Sequence, residues 1–399
     1  MAANGNTFSN HRRRNIILSV IAVALYWLAL YLYRPTLSTY VKMRLPDNLA
    51  IVGTILSMYG LGQMLLRLPL GILSDWAGRR IPFIIGGLVL CAIGSAMMGL
   101  LPTAGGLLGG HLVVGFAAAT WVPMVVFFSS LFPPKEAVRA SSLLTLVSSL
   151  ARMLATGVTG FLNERFGYAM AFMLAAMCSC LAVCVIVPTR EATITIKKPT
   201  LRTFGKIIGR RDVLVPSLLS MVFMYANWAS VYGFIPILAQ DMGATDVTLS
   251  LMLSMNLLVQ TLGNLLATTA VVRFGERALV YFTFASVGLG VAGAAWAPNL
   301  TWLFVAQLLI GLSHGVGYPV LMGLSIRDVD ESQRTTAMGL HQSIYAIGMF
   351  AGPALTGVLG DALGIRDTFY ATATVTFIIG VLGTQFLRSG GSATDAKDA

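Results

Sequence analysis

The chain has 399 residues, 56% hydrophobic and 11% charged, with 27 Lys and Arg against 16 Asp and Glu. Soluble domains carry about 25% charged residues, so this composition excludes a water-soluble fold and requires a bilayer. The net charge of +11 would suggest nucleic acid on a soluble protein, but on a membrane chain it is read from where the charges fall.

A membrane span needs about 20 apolar residues. The first follows His11-Arg12-Arg13-Arg14 and covers 15–40. It runs past the length of a signal-peptide core without a small-residue cleavage site, so it reads as a retained helix. Further spans are expected at 49–70, 81–101, 106–131, 141–162 and 168–188. Residues 189–211 then break the pattern with seven Lys and Arg and few apolar residues. Six more spans are expected near 213–239, 247–271, 279–296, 300–326, 336–360 and 368–387, before a Gly/Ser/Asp-bearing tail that reads as disordered. The predicted organisation is an N-terminal tail 1–14, a six-helix bundle 15–188, a basic linker 189–211, a second bundle 212–387 and a tail 388–399. No extramembrane domain fits in this length.

If alternate loops are assigned to one side, starting with the N-terminus, that side holds 20 Lys and Arg and the other holds four. The positive-inside rule puts both termini and the linker in the cytoplasm. The four cysteines (Cys91, Cys178, Cys180, Cys184) fall within spans and read as reduced thiols packed as small hydrophobes. Neither a disulfide nor a metal site is expected from them.

The halves repeat one another. A shift of 197 places Leu56-Ser57-Met58 on Leu253-Ser254-Met255, Gln63 on Gln260, Gly78 on Gly275 and Arg80 on Arg277. A shift of 201 places Trp27, Tyr31 and Pro35 on Trp228, Tyr232 and Pro236. Small residues coincide by chance, whereas Trp, Tyr and Pro together do not.

Between the second and third spans lies Gly71-Ile-Leu-Ser-Asp75-Trp-Ala-Gly78-Arg79-Arg80. It resembles the Gly-x-Leu-x-Asp-x-x-Gly-Arg-Arg/Lys signature of the major facilitator superfamily. That resemblance implies an all-α membrane protein of twelve transmembrane helices, arranged as two parallel six-helix repeats with the solute near the midplane between them. It also implies that Asp75 and the Arg79/Arg80 pair work with Gly71 and Gly78 as a gate, pairing across the inner side to favour the outward-open state. A second stretch, Gly348-Met-Phe-Ala-Gly352-Pro353-Ala-Leu-Thr356-Gly357, resembles a further signature of that family. Its repeat counterpart, Ala151 to Gly160, keeps small residues but loses Pro and three glycines, which weakens an antiporter reading. His111 stands where the family usually carries Arg.

Ionisable groups inside spans are functional candidates because their burial is costly. All 16 acids fall in loops or at helix ends, which counts against a cationic-drug exporter that uses a buried carboxylate. Arg152 falls near mid-span, either facing a central cavity or serving a structural network with residues such as Gln63. Arg34 shares a helix face with Trp27 and Tyr31 at i, i+4 and i+7, and either faces the path or snorkels to the outer interface. Its repeat equivalent is Ile235, so the halves differ in chemistry there. Arg67 is expected to brace the signature loop. His314, mid-span on helix 10, is the candidate for proton coupling. Gln63, Asn227, Trp228, Tyr232, Trp121, Gln260 and Tyr318 complete the expected solute-contacting set.

No nucleophile–base pair, metal spacing or phosphate loop is present in the sequence, so no enzyme activity, cofactor or metal is expected. The expected function is secondary active transport of a small organic solute, with an anionic one preferred, through the plasma (inner) membrane by a monomer in the lipid bilayer. Nucleic acid is not an expected partner, and a coupling proton is left open. Two alternatives remain: a broad-specificity drug/proton efflux antiporter, and a non-transporting sensor or scaffold on the same fold.

Overall fold

The computed structural model describes residues 3–46, 48–189, 191, 207–330 and 333–387. Most of the predicted linker and the C-terminal tail therefore lie outside the described residues. Among the described residues, twelve helical segments are long and apolar enough to span a membrane: α1 (Arg12–Arg44), α2 (Leu49–Ala77), α3 (Ile81–Leu100), α4 (Ala104–Ser130), α5 (Arg139–Phe166), α6 (Tyr168–Ile186), α7 (Arg211–Asp241), α8 (Asp246–Phe274), α9 (Glu276–Trp296), α10 (Leu300–Arg327), α11 (Thr336–Leu363) and α12 (Ile365–Thr384). With no water in the hydrocarbon core, each segment must satisfy its backbone internally, and a helix does so. The four cysteines are free thiols, Cys91 and Cys178 buried, Cys180 and Cys184 exposed.

The repeat has a structural counterpart. α1 is interrupted by a 3₁₀ turn at Arg34–Thr36 and α7 by a π turn at Ser230–Phe234. Both interruptions adjoin the Pro of the aligned Trp-Tyr-Pro set, Pro35 and Pro236, where the missing N–H breaks the helical hydrogen-bond ladder.

Helices meet through small residues, within the second half and between the halves, as packing in lipid favours. On α11, Gly348 and Gly352 lie against the α7 backbone at Met221, Tyr225 and Ala229, while Gly357 lies against Leu49, Ala50 and Gly53 of α2. A Cβ on Gly357 would stand 3.0 Å from the Gly53 Cα, so glycine is what permits this approach. The counterpart on α5 works differently. Thr156 shares a 2.8 Å hydrogen bond with Ser254 of α8, and Thr159 donates to the Leu32 carbonyl of α1 at 2.7 Å. Hydroxyls thus supply contacts at Thr156 and Thr159, while Gly160 keeps a close approach to the α8 backbone at Asp246 and Val247.

The ends of the bundle differ. At the end away from the termini, Lys42 pairs with Asp241 across the halves at 2.9 Å. Glu164 and Asp361 each accept hydrogen bonds from the start of a helix in the other half. This far end is sealed. At the terminal end, Arg12 bonds the Leu131 carbonyl (2.7 Å) and Glu136 (3.3 Å), all within the first half.

Candidate functional site

The broken turn of α1 carries Arg34 into the seam between the halves. Its guanidinium carbon lies 3.9 Å from the Tyr59 ring centre, 5.0 Å from Trp228, 5.3 Å from Tyr31 and 5.8 Å from Tyr232. Two of these rings come from the first half and two from the second. Arg34 is only 4% exposed, so it does not snorkel to an interface. Its Nε donates to the Leu30 carbonyl at 3.2 Å, and Nη2 is buried without a partner. Burial of an unpaired guanidinium costs several kcal/mol, which desolvated ring faces, at about 2 kcal/mol each, offset in part.

Tyr31 and Tyr232, equivalent in the repeat, meet edge to face at 6.5 Å. On the other side of Tyr31 stands Arg152 of α5, 5.7 Å from that ring and 5.1 Å from Trp27. Its Nε donates to the Ser148 carbonyl at 3.2 Å and its Nη2 to Ser149 Oγ at 3.3 Å. Trp121 of α4 packs edge-on against Trp27 at 5.0 Å. Two guanidinium groups therefore flank one tyrosine at the centre of an aromatic seam. Asn227 is buried next to Trp228 on α7, with its Oδ1 unpartnered.

Arg67 does not brace the signature loop. It donates to Gln63 and to Tyr345 Oη, both at 2.7 Å, and so ties α2 to α11. Helix geometry explains the difference: Arg67, about two turns before Asp75, sits on the α11-facing side and reaches across rather than along. Gln63 consequently serves Arg67 and not Arg152. In the second half, Gln260 is hydrogen-bonded to His314 Nδ1, and His314 stacks on Tyr318 at 5.7 Å. Tyr318 in turn meets Tyr345 at 6.0 Å. These residues form a second cluster, joined to the first half through Arg67.

In the signature loop, Asp75 and Arg80 form an ion pair at 2.6 Å. Gly78 ends α2 with φ 62°, a left-handed value that glycine adopts freely. Glu191 accepts from the N–H groups of Arg80 (2.6 Å) and Ile81 (3.0 Å). Among the described residues, these partners of Asp75 and Arg80 lie in the first half or at the start of the linker region. Arg79 is exposed. In this conformation the charge pair closes on itself instead of bridging the halves.

The sequence profile of the Major Facilitator Superfamily matches residues 19–224 and 217–397. The chain belongs to the Major Facilitator Superfamily. It is a multi-pass membrane protein of a transporter family, not an enzyme family. An uncharacterised MFS-type transporter of Methanocaldococcus jannaschii is 20% identical, over 94% of this chain and 98% of that protein. The class C tetracycline resistance protein of Escherichia coli is 24% identical, over 76% of this chain and 78% of that protein. Among solved structures, the nucleoside transporter NupG superposes with a TM-score of 0.79 at 14% identity, covering 96% of this chain and 100% of NupG.

Three side chains of this superfamily member went unselected for the site. Tyr59 presents the ring nearest Arg34, Tyr345 receives Arg67, and His111 stacks on Tyr59 at 5.6 Å. One signal for Tyr59 existed: a shift of 197 places it on Asn256, a polar residue inside a span.

Proposed function

We propose that this protein is a secondary active transporter that moves a small organic solute bearing a carboxylate or phosphate-like group by alternating access of its two six-helix halves. The observation that carries the reading is an imbalance of sign. Arg34, Arg152 and Arg67 lie inside the spans, whereas every acid in a described span lies within two residues of a span end. A cationic seam without buried acids is compensated by an anion, and the guanidinium fork matches a planar carboxylate or a phosphate. Trp27, Tyr31, Trp121, Trp228 and Tyr232 supply apolar faces for the rest of the solute. Arg34 and Arg152 take the charged end, with Asn227, Gln63, Gln260, His314 and Tyr318 on the same path.

In this reading the protein sits in the plasma (inner) membrane as a monomer, with both termini cytoplasmic and two bundles, 15–188 and 212–387, joined by the 189–211 linker. Its sealed far end is then the outer one. Labelling of Lys198→Cys only from the cytoplasmic face, in a cysteine-free background, supports that orientation; labelling from outside intact cells refutes it. Counterflow in proteoliposomes against anionic, neutral and cationic solutes tests the substrate class.

Drug efflux is the second reading, favoured by the tetracycline resistance relative and by the aromatic lining. Counterflow of a cationic drug but of no anion would select it.

A further inference from the structure

Arg34 and His111 face one small cavity. It measures about 10 Å³, room for about one water molecule, and is lined by Arg34, Leu37, Leu56, His111, Trp228 and Tyr232. His111 is 1% exposed. Its Nδ1 lies 2.8 Å from the Ile55 carbonyl, and a carbonyl only accepts, so Nδ1 carries the hydrogen. The second ring nitrogen, Nε2, is buried without a partner, as is Arg34 Nη2. Two side chains that line one cavity and each keep an unsatisfied buried nitrogen call for a ligand, since leaving both bare is costly.

We propose that this cavity is a proton–anion coupling site, where Arg34 holds an anionic oxygen of the solute and His111 Nε2 binds a proton together with it. The inference rests on the anionic reading of the seam. With Nδ1–H committed to Ile55, neutral His111 offers Nε2 only as a lone pair, which repels an anionic oxygen. A protonated Nε2 donates to that oxygen. Without the anion, an imidazolium beside Arg34 would place two like charges in a low-dielectric pocket. Proton and anion therefore enter together, and each raises the affinity for the other by the same factor. The proton comes from water on the open side and returns to water on the other, so solute and proton move in one direction.

The surroundings supply no competing acid. From α2 the ring meets the Ile55 carbonyl and Tyr59. From α1 and α7 come Arg34, Trp228 and Tyr232. The neighbouring α3 carries no charged residue, and Cys91 is its titratable group. Arg152 of α5 stands with Trp27 and Tyr31, and Arg67 is occupied by Gln63 and Tyr345. His314, by contrast, has its Nδ1 engaged by Gln260.

The test is a proton count. Benzoate, succinate and inorganic phosphate are each titrated into purified protein by calorimetry near neutral pH, in two buffers of different ionisation enthalpy. The wild type is expected to take up about one proton per bound anion, with affinity falling about tenfold per pH unit above the histidine range. His111→Asn keeps an amide donor at the Nδ1 place for Ile55 and removes Nε2, and is expected to bind the anion with no proton uptake and with affinity flat in pH. His111→Gln gives the same result if the Asn variant folds poorly. Anion binding by the wild type without proton uptake overturns the inference and leaves the anionic reading standing. Uptake that persists in His111→Asn and disappears in His314→Gln also overturns it. Binding of none of the three anions removes the anionic reading and this inference with it.

Discussion

Glu164 and Asp361 stand one repeat length of 197 residues apart, and each carboxylate caps the first turn of a helix in the opposite half. Asp361 at the end of α11 accepts from the N–H groups of Leu49 and Ala50 at 2.8 Å each; Glu164 at the end of α5 accepts from Val247 at 3.3 Å. A carboxylate meets both needs of a helix start, since it satisfies free N–H donors and its charge opposes the positive end of the dipole. Such a cap is worth about 0.5–2 kcal/mol. Because donor and acceptor belong to different halves, that energy holds the far end shut.

Asp361→Asn removes the charge and leaves one acceptor oxygen for two donors. The far end is expected to open more often, by about fivefold for a loss of about 1 kcal/mol. Spin labels at Arg44→Cys and Gly243→Cys should show a longer-distance population that is minor in the parent. An unchanged distance distribution would mean that Lys42–Asp241 and the packed glycines seal the end without the caps.

Arg34 and Arg152 differ in surroundings, so conservative substitution separates them. Lysine keeps the charge but loses the planar fork and the guanidinium's stacking on aromatic faces. Arg34 sits within 6 Å of four ring centres and Arg152 within 6 Å of two. Arg34→Lys should therefore lower counterflow of an anionic solute by more than about tenfold, and Arg152→Lys should lower it less, both at near-normal folded yield. Normal transport by a folded Arg34→Ala, Arg152→Ala double mutant would remove both from the solute path.

In the signature loop, Asp75 lies 2.6 Å from Arg80, whose side chain is nearly buried, whereas Arg79 is exposed. Breaking a partly buried pair by removing one charge leaves the other uncompensated. Asp75→Asn should lower transport strongly while expression stays mostly intact, and Arg80→Ala should exceed Arg79→Ala in effect. Equal effects of the two arginine substitutions would mean that the loop acts only through its total positive charge.

The spans were legible because lipid imposes length and apolarity on each. The repeat was legible at Trp27, Tyr31 and Pro35 because bulky and helix-breaking residues seldom coincide by chance, and these positions mark where both helices break. What stayed hidden was orientation about each helix axis. A helix that is apolar all round has no hydrophobic stripe to say which face turns inward, so Tyr59 looked like any packed aromatic. Partners distant in sequence were equally out of reach: Arg67 meets Tyr345 278 residues later. Reading Arg67 along its own helix pointed to the nearby loop, whereas the tertiary packing of α2 on α11 decided its partner.

Gly348 offers a test of the packing of α11 on α7 in which two effects have opposite sign. Replacing an interior helical glycine with alanine ordinarily gains about 1 kcal/mol through reduced backbone freedom. At Gly348, however, the added Cβ would overlap the Met221 carbonyl and come within 2.9 Å of the Tyr225 nitrogen, both backbone atoms of α7 that have no rotamer to yield. Displacing a packed helix costs about 1–3 kcal/mol, so the clash outweighs the gain. Gly348→Ala should lower the melting temperature of the purified protein. At Gly86 on α3 an added Cβ meets nothing within 4 Å, so Gly86→Ala should leave the melting temperature unchanged or raise it. If both substitutions raise it, α11 is free to shift away from α7 at little cost, and the Gly348–Gly352 stretch does not fix the contact between them.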